Sequence, residues 1–364
     1  MSKEIVYVGS SKPGRSLSGA PPLKNQGHIY IYDLNVGDGS LSPLGDPVEA
    51  SPTPSFLAVS PDRRFLYAIN ETDEYKGQPS GTVMSFAIDS GTGGLTFINR
   101  VPSQGRGPAY LSVDKTGNFA LVAHYNGGCI SIFPIGEDGA LGDAVDTRFH
   151  GGDARSHSIV LSPDNRFVFV PNLGLDNVSQ YAFDGQTGKV TENQVPAAKL
   201  AQGAGPRHME FHPSGKFAYI INEYNDSITA FNYDADNGRL DLIHVAPTLS
   251  KGESGEGNYC ADIHVLPTGD FLYGSNRGRD SIAIFSIDQS TGRLTPTSHQ
   301  PSGGKWTRSF HIHRDGKLLL TANEQSDNIV AFHVDSRTGA LSETGATTQV
   351  PSPAYVGIVQ LPGS

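Results

Sequence analysis

At 364 residues the chain is longer than one hydrophobic core usually serves, and a formal net charge of −10 with a sequence pI near 5.6 leaves no basic stripe for a nucleic-acid partner. Two cysteines, Cys129 and Cys260, are too few for a disulfide framework and read as buried free thiols. No apolar run approaches the ~18 residues of a membrane span, and the opening MSKEIVYVGS has no apolar signal core, so the expectation is a soluble cytoplasmic protein with no membrane partner.

In chain order, residues 5–10 (IVYVGS) read as a strand, residues 11–26 (SKPGRSLSGAPPLKNQ) as a loop insertion, and GHIYIYD followed by DGSL as a strand and a turn. One phrase then recurs: an apolar strand, a Pro-Asp- or Asp-Gly-like turn, a second strand ending in Asn, an alternating third strand and a Gly-Xaa-Leu turn. Its copies are FLAVSPDRRFLYAINE from Phe56, AYLSVDKTGNFALVAHY from Ala109, HSIVLSPDNRFVFVPN from His157, RHMEFHPSGKFAYIINE from Arg207, ADIHVLPTGDFLYGSNR from Ala261 and RSFHIHRDGKLLLTANE from Arg308. The residue closing the second strand is Asn70, His124, Asn172, Asn222, Asn276 and Asn323, at spacings of 54, 48, 50, 54 and 47. Each unit has room for four short strands, which is one propeller blade. Residues 248–259 read as a second insertion. At the C-terminus, PAYVGIVQL (353–361) matches the start of the inner strand at Pro108 and completes a seventh unit begun by the N-terminal strands. The expected fold is therefore an all-β, seven-bladed β-propeller of four-stranded antiparallel blades, one domain over residues 1–364, closed by terminal strands sharing one blade.

Such a ring is its own control: structural residues recur at equivalent positions, and functional ones depart. The start of the inner strand reads Ser55, Ala109, His157, Arg207, Ala261, Arg308 and Ala354, mostly small, with His157, Arg207 and Arg308 the exceptions. The next position reads Phe56, Tyr110, Ser158, His208, Asp262, Ser309 and Tyr355. The residue after the Asn anchor reads Glu71, Tyr125, Leu173, Glu223, Arg277 and Glu324. Both ends belong to the same side of a blade, so one mouth is expected to gather His157, Arg207, His208, Asp262, Arg277 and Arg308 beside Glu71, Glu223 and Glu324. Taken singly, His157 reads as a hydrogen-bonded structural group and Arg207 as the partner of Glu223; taken together they read as a site for an anion. His264, His311 and His313 alternate along inner strands, with the HIH of 311–313 expected on one strand face, but no acidic ligand set accompanies them, so no metal or other cofactor is expected. Gly127-Gly128 and Gly303-Gly304 read as hairpin turns.

The segments GAGPRHMEFHPSGKFAYIINE (203–223), ADIHVLPTGDFLYGSNRG (261–278) and HSIVLSPDNRFVFVPNLGLD (157–176) resemble the lactonase family of seven-bladed propellers, which includes bacterial 6-phosphogluconolactonases and fungal carboxy-cis,cis-muconate cyclases. The resemblance covers nearly the whole chain, and GPRHM followed by NE is its most specific part. It implies a catalytic set on His157, Arg207, Glu223 and Arg277 and a further arginine at Arg308; Arg308 and, from their place on the expected rim, His208, Asp262 and Glu71 are the substrate-binding candidates. It also implies metal-independent hydrolysis of a small anionic lactone, 6-phospho-D-glucono-1,5-lactone of the pentose phosphate pathway, by a monomer or weak homo-oligomer. A muconate-type cycloisomerase and a non-catalytic binding platform are the alternatives. The chain departs from the family where GGDAR precedes Ser156 and His157, and at Ala109.

Overall fold

The computed structural model describes residues 3–10 and 27–362; the expected insertion at 11–26 lies outside the described residues. The strands form seven antiparallel sheets, each joined to its sequence neighbours around a ring. Blades 1 to 6 begin with the inner strands that follow Ser55, Gly107, Ile159, Gly205, Asn258 and Trp306. Blade 7 takes its inner strand, Pro353–Gln360, from the C-terminus and its next strand, Glu4–Ser10, from the N-terminus, pairing Val6 with Ile358 and Val8 with Val356. The split seventh blade is thus as expected.

The second strand of each blade is wholly buried. FLYAIN, FALVAH, FVFVPN, FAYIIN, FLYGSNR and LLLTAN have no exposed position, which is why they read as continuous apolar runs rather than alternating ones. Both faces of these strands meet a neighbouring blade. Among the described residues seven apolar clusters form, one at each blade-to-blade interface, including those of blade 7 with blades 6 and 1.

A recurring contact sets the blade spacing. The aromatic that opens the second strand of one blade, Phe65, Phe119, Phe167, Phe217 or Phe271, lies where a side chain would stand on the turn glycine of the next, Gly139, Gly188, Gly238, Gly292 or Gly339. Above it a tyrosine hydroxyl donates to the same turn: Tyr67 to the Gly139 carbonyl at 3.3 Å, Tyr219 to Gly292 at 3.1 Å and Tyr273 to Gly339 at 2.9 Å. Across the seam between the two chain ends, Tyr7 of blade 7 donates to Gly93 of blade 1 at 2.8 Å. The Gly-Xaa-Leu turn is therefore an inter-blade latch as well as a hairpin end.

Two outer strands are broken into short pieces, Leu41–Pro43 with Val48–Glu49, and Val190–Glu192 with Ala198–Lys199, each pair lying on one neighbour. Pro47 and Pro196 interrupt them, since proline donates nothing to a ladder. Gly127-Gly128 occupies a hairpin between Phe119–His124 and Cys129–Pro134, as expected. Gly303-Gly304 does not: it lies between Leu294–Pro301 and Thr307–Ile312 and carries the chain from blade 5 to blade 6. Cys129 and Cys260 are buried free thiols.

Candidate active site

One backbone irregularity builds the site. At the start of the inner strand the ladder slips by a residue: Pro206 pairs with Asn222 and His208 with Ile221, leaving Arg207 unopposed. The same slip leaves Arg308 unopposed between Thr307 and Ser309, Ala109 between Pro108 and Tyr110, and Ala354 between Pro353 and Tyr355. In blade 3 Ser156 bridges Asn172 while the His157 amide reaches the carbonyl of Pro171, so His157 takes the equivalent place. A bulge re-aims the extra residue's side chain. Where that residue is alanine the channel is merely left open. In blades 3, 4 and 6 the bulge delivers an imidazole and two guanidiniums to one mouth.

Carboxylates hold these cations in place. Arg207 Nε lies 3.0 Å from Glu223 Oε2, and Arg277 Nη2 lies 3.1 Å from the same oxygen. Arg277 also donates to the Cys260 and Tyr259 carbonyls at 3.1 and 3.2 Å, and Arg207 to that of Ala261. Arg308 Nη2 stands 2.9 Å from Glu71 Oε2, with Glu324 looser at 3.9 Å. Arg207 is 2 % exposed and Arg277 7 %, whereas the Arg308 side chain is 21 % exposed, the most open of the three. Burial and the Arg277 charge draw Arg207 down to about 10, against Glu223, so it stays a cation at neutral pH. For Arg308, burial works in the other direction, but Glu71 and Glu324 raise it.

His157 is buried, and its Nδ1 has no hydrogen-bond partner. Burial, then Arg207, His208 and Arg308, hold it well below the usual histidine range, so it is a neutral imidazole. Tyr125 meets its ring edge-on at 5.5 Å.

His208 and Asp262 sit differently from the expectation that placed them on the rim. They belong to the next layer down, where Phe56, Tyr110, His208 and Tyr355 pack together and plug the channel. The Phe56 ring lies 4.2 Å from that of Tyr110 and 4.8 Å from that of Tyr355, and Tyr110 lies 5.1 Å from His208. The bulge explains the change: it turns Arg207 to the mouth and leaves His208 in the regular ladder below. His208 Nε2 is 3.0 Å from Arg207 Nη1, and its Nδ1 is 2.8 Å from Asp262 Oδ1. An arginine can only donate, so the network assigns the Nδ1–H tautomer, with Nε2 accepting. Burial and Arg207 push His208 down to about 4, leaving it neutral. Asp262 is held ionised: burial opposes this, but His264 and His208 draw it well below the carboxylate range.

Beneath the plug lies the larger cavity of the channel, about 610 Å³, bordered by Tyr110, Glu210, Asp262, His264 and His311. His264 Nδ1 is 2.8 Å from Glu210 Oε2, and Nε2 is 3.6 Å from Asp262 Oδ2. Burial opposes protonation of His264, but Glu210 and Asp262 hold it well above the usual range as an imidazolium. Burial and that charge push His311 down to about 3. Size favours this cavity as the binding site; charge does not, because Glu210 and Asp262 offset His264 and Lys115 there and no arginine faces it. The three arginines stand at the upper mouth. The expected shared face of His311 and His313 is not found. The inner strand ends at Ile312, and His313 turns away, 2.7 Å from Asp315 and 3.5 Å from Glu4.

The structure therefore brings His157, Arg207, Glu223, Arg277, Arg308, Glu71 and Glu324 to one mouth, with His208 and Asp262 directly beneath. The model of the family described as "Lactonase, 7-bladed beta-propeller" matches residues 5–358. The chain is 32 % identical to a 6-phosphogluconolactonase of Bacillus subtilis, over 85 % of this chain and 84 % of that one. It is 35 % identical to a 6-phosphogluconolactonase of Formosa agariphila, over 83 % and 84 %. Among solved structures it resembles the periplasmic gluconolactonase PpgL of Pseudomonas aeruginosa, with a TM-score of 0.87 and 28 % identity over 99 % of this chain and 100 % of that one.

Proposed function

We propose, from the premise that this chain belongs to the lactonase family of seven-bladed β-propellers, that it hydrolyses 6-phospho-D-glucono-1,5-lactone to 6-phosphogluconate. The observation that carries this reading is the meeting of three arginines and a neutral histidine at one mouth of the channel. Water adds to the lactone carbonyl, the carbonyl oxygen becomes an oxyanion, and the bond from carbonyl carbon to ring oxygen then breaks. The proton taken from water is returned to that ring oxygen, so nothing is consumed but water.

His157 is the better candidate for the base. Glu223 Oε2 already faces two guanidiniums, whereas the His157 imidazole is held neutral. Arg207 and Arg308 depress His157; a bound phosphate dianion offsets those charges and makes the imidazole more basic when substrate is present. Arg207 and Arg277, aligned by Glu223, stabilise the oxyanion. Arg308, the most exposed of the three and only loosely held by Glu324, takes the phosphate. Glu71 orients Arg308, and His208 with Asp262 acts through Arg207.

A cycloisomerase on the same site needs a group that gives a proton to carbon, and a histidine held neutral is poorly placed to do so. Among the described residues no helix is long and apolar enough to cross a membrane. The phosphorylated substrate is confined by its charge, so we place the reaction in the cytoplasm, carried out by one domain that is monomeric or weakly self-associating. The test is hydrolysis of freshly generated 6-phosphogluconolactone above its spontaneous rate, followed by Arg207→Ala and His157→Ala. Wild-type protein that gives no acceleration overturns the proposal.

A further inference from the structure

The ring offers a second internal comparison, two residues before the bulge. The backbone there is left-handed in five blades, at Gly107 (φ 55°), Arg155 (φ 49°), Gly205 (φ 65°), Trp306 (φ 63°) and Ser352 (φ 41°). Glycine is the unstrained choice in this region, and two blades use it. Arg155 and Trp306, the chain's single tryptophan, hold large side chains there against that preference. Strain retained at one place is a pointer to use, to be judged by what the side chains build.

They build part of an arch. Blades 2 to 6 each set one flat side chain on the upper rim: Tyr125, Arg155, Tyr224, Tyr259 and Trp306. The Arg155 guanidinium lies 5.6 Å from the Tyr125 ring centre, and its Nη1 is 3.2 Å from the Tyr224 hydroxyl. Tyr224 and Tyr259 rings are 6.4 Å apart, Tyr259 and Trp306 rings 6.0 Å, and Arg277 lies 5.3 Å from the Trp306 ring. Tyr224 is 41 % exposed and Tyr259 39 %, unusual for rings that could pack inward. Gly205 is the seat of Tyr224: a Cβ there would meet the ring at 2.7 Å. A groove of about 330 Å³ opens at the His157 end of the arch, bordered by Asp153, Arg155, Leu173, Asp176 and Tyr224. Arg155 is two residues from His157, and Tyr224 follows Glu223, so the groove adjoins the catalytic mouth.

The lining identifies the ligand. An aromatic face is the negative side of the ring quadrupole and attracts the slightly positive C–H face of a sugar. A guanidinium and carboxylates beside it are donors and acceptors for hydroxyls. Asp153 and Asp176 offset Arg155, so the groove does not favour a second phosphate. We propose that this groove is a subsite for a neutral pyranose ring, so that the chain also accepts glycosyl-aldonolactones, in which the lactone is the reducing-end ring of a disaccharide. This rests on the lactonase reading for the reaction, but the subsite itself is tested by binding.

The experiment compares cellobionate and gluconate, the open acids, by calorimetry and saturation-transfer NMR, alongside hydrolysis of cellobiono-1,5-lactone, glucono-1,5-lactone and 6-phosphogluconolactone. Wild type is expected to bind cellobionate at least tenfold more tightly than gluconate, with saturation reaching the non-reducing ring. Tyr224→Ala and Arg155→Gly are expected to remove that advantage while leaving 6-phosphogluconolactone hydrolysis within twofold. Arg155→Gly restores the residue used at Gly107 and Gly205, so its thermal midpoint should not fall. Equal affinity for the two acids overturns the subsite, as does an advantage that survives both substitutions, or a preference for dihydrocoumarin, an aryl lactone, over the disaccharide lactone. Tight cellobionate binding without hydrolysis of any lactone leaves the subsite standing and removes the lactonase reading. Hydrolysis of 6-phosphogluconolactone without a cellobionate advantage does the reverse.

Discussion

Each group at the mouth owes its state to a named neighbour, and the neighbours can be removed one at a time. Removing a preorganised donor to an oxyanion costs on the order of 3 kcal/mol in barrier; Arg207→Ala should therefore lower kcat/KM about a hundredfold, measured on freshly generated lactone. His157 is depressed from 6.5 by burial and by two arginines. A base must be unprotonated, so activity should persist as pH falls through 6.5 and fail only below the depressed value. A kcat/KM profile with its acid limb above 6.5 would contradict the assignment to His157. Asp262 provides a sharper test, because it reaches Arg207 through His208. Asp262→Asn keeps an acceptor for the Nδ1–H of His208 and should retain most of kcat, whereas Asp262→Ala frees the tautomer and should lower kcat more than it raises KM. The imidazole nitrogen shifts of His208 in labelled protein report that change directly. At this scale the sequence was legible where a residue type broke the repeat: His157 and Arg207 stand out against the alanines at the strand starts of other blades, and Arg277 against the glutamates that follow the Asn anchor. It was not legible for His208 and Asp262. One residue of bulge separates rim from plug, and a bulge leaves the spacing of residues along the chain unchanged.

Elements in this fold are held less by their own propensity than by the turn of the next blade. Gly292 illustrates it: φ is 68°, and an added methyl would collide with the Phe217 ring. Gly292→Ala should destabilise by about 2 kcal/mol from backbone and overpacking together, seen as a lower thermal midpoint with activity per folded molecule unchanged. The Gly-Xaa-Leu turns were plain in the sequence as hairpin ends. Their second duty as latches was not, because the partner aromatic lies some seventy residues away, as with Tyr219 and Gly292. The same limit explains Gly303-Gly304 and His313. A Gly-Gly pair reads as a hairpin until one knows that Ser302 and Thr307 belong to different blades, and HIH reads as one strand face until one sees the strand end at Ile312.

The whole molecule is a ring whose closing contact joins the two chain ends, and this sets both its stability and its site. Loss of Pro353–Gln360 would uncover Val6 and Val8 and leave an edge strand unpaired beside blade 6. A chain ending at Pro351 should lose its cooperative thermal transition, although Arg207 and Glu223 lie on the far side of the sequence. The blade count and the closure were readable because six weak copies of one phrase reinforce each other and the two chain ends supply the parts of a seventh. The channel was not, since its plug is made by side chains from four separate units, Phe56, Tyr110, His208 and Tyr355. That plug gives the molecule two unlike ends: an upper mouth with three arginines, and a lower cavity with carboxylates and a charged His264. The claim that the upper mouth is a lactone-opening site is tested most directly by following 6-phosphogluconolactone, generated in place, with and without the protein. Wild type should hydrolyse it well above the spontaneous rate, and Arg207→Ala should reduce that about a hundredfold. Hydrolysis by wild type at no more than the spontaneous rate, or undiminished in the variant, would contradict it.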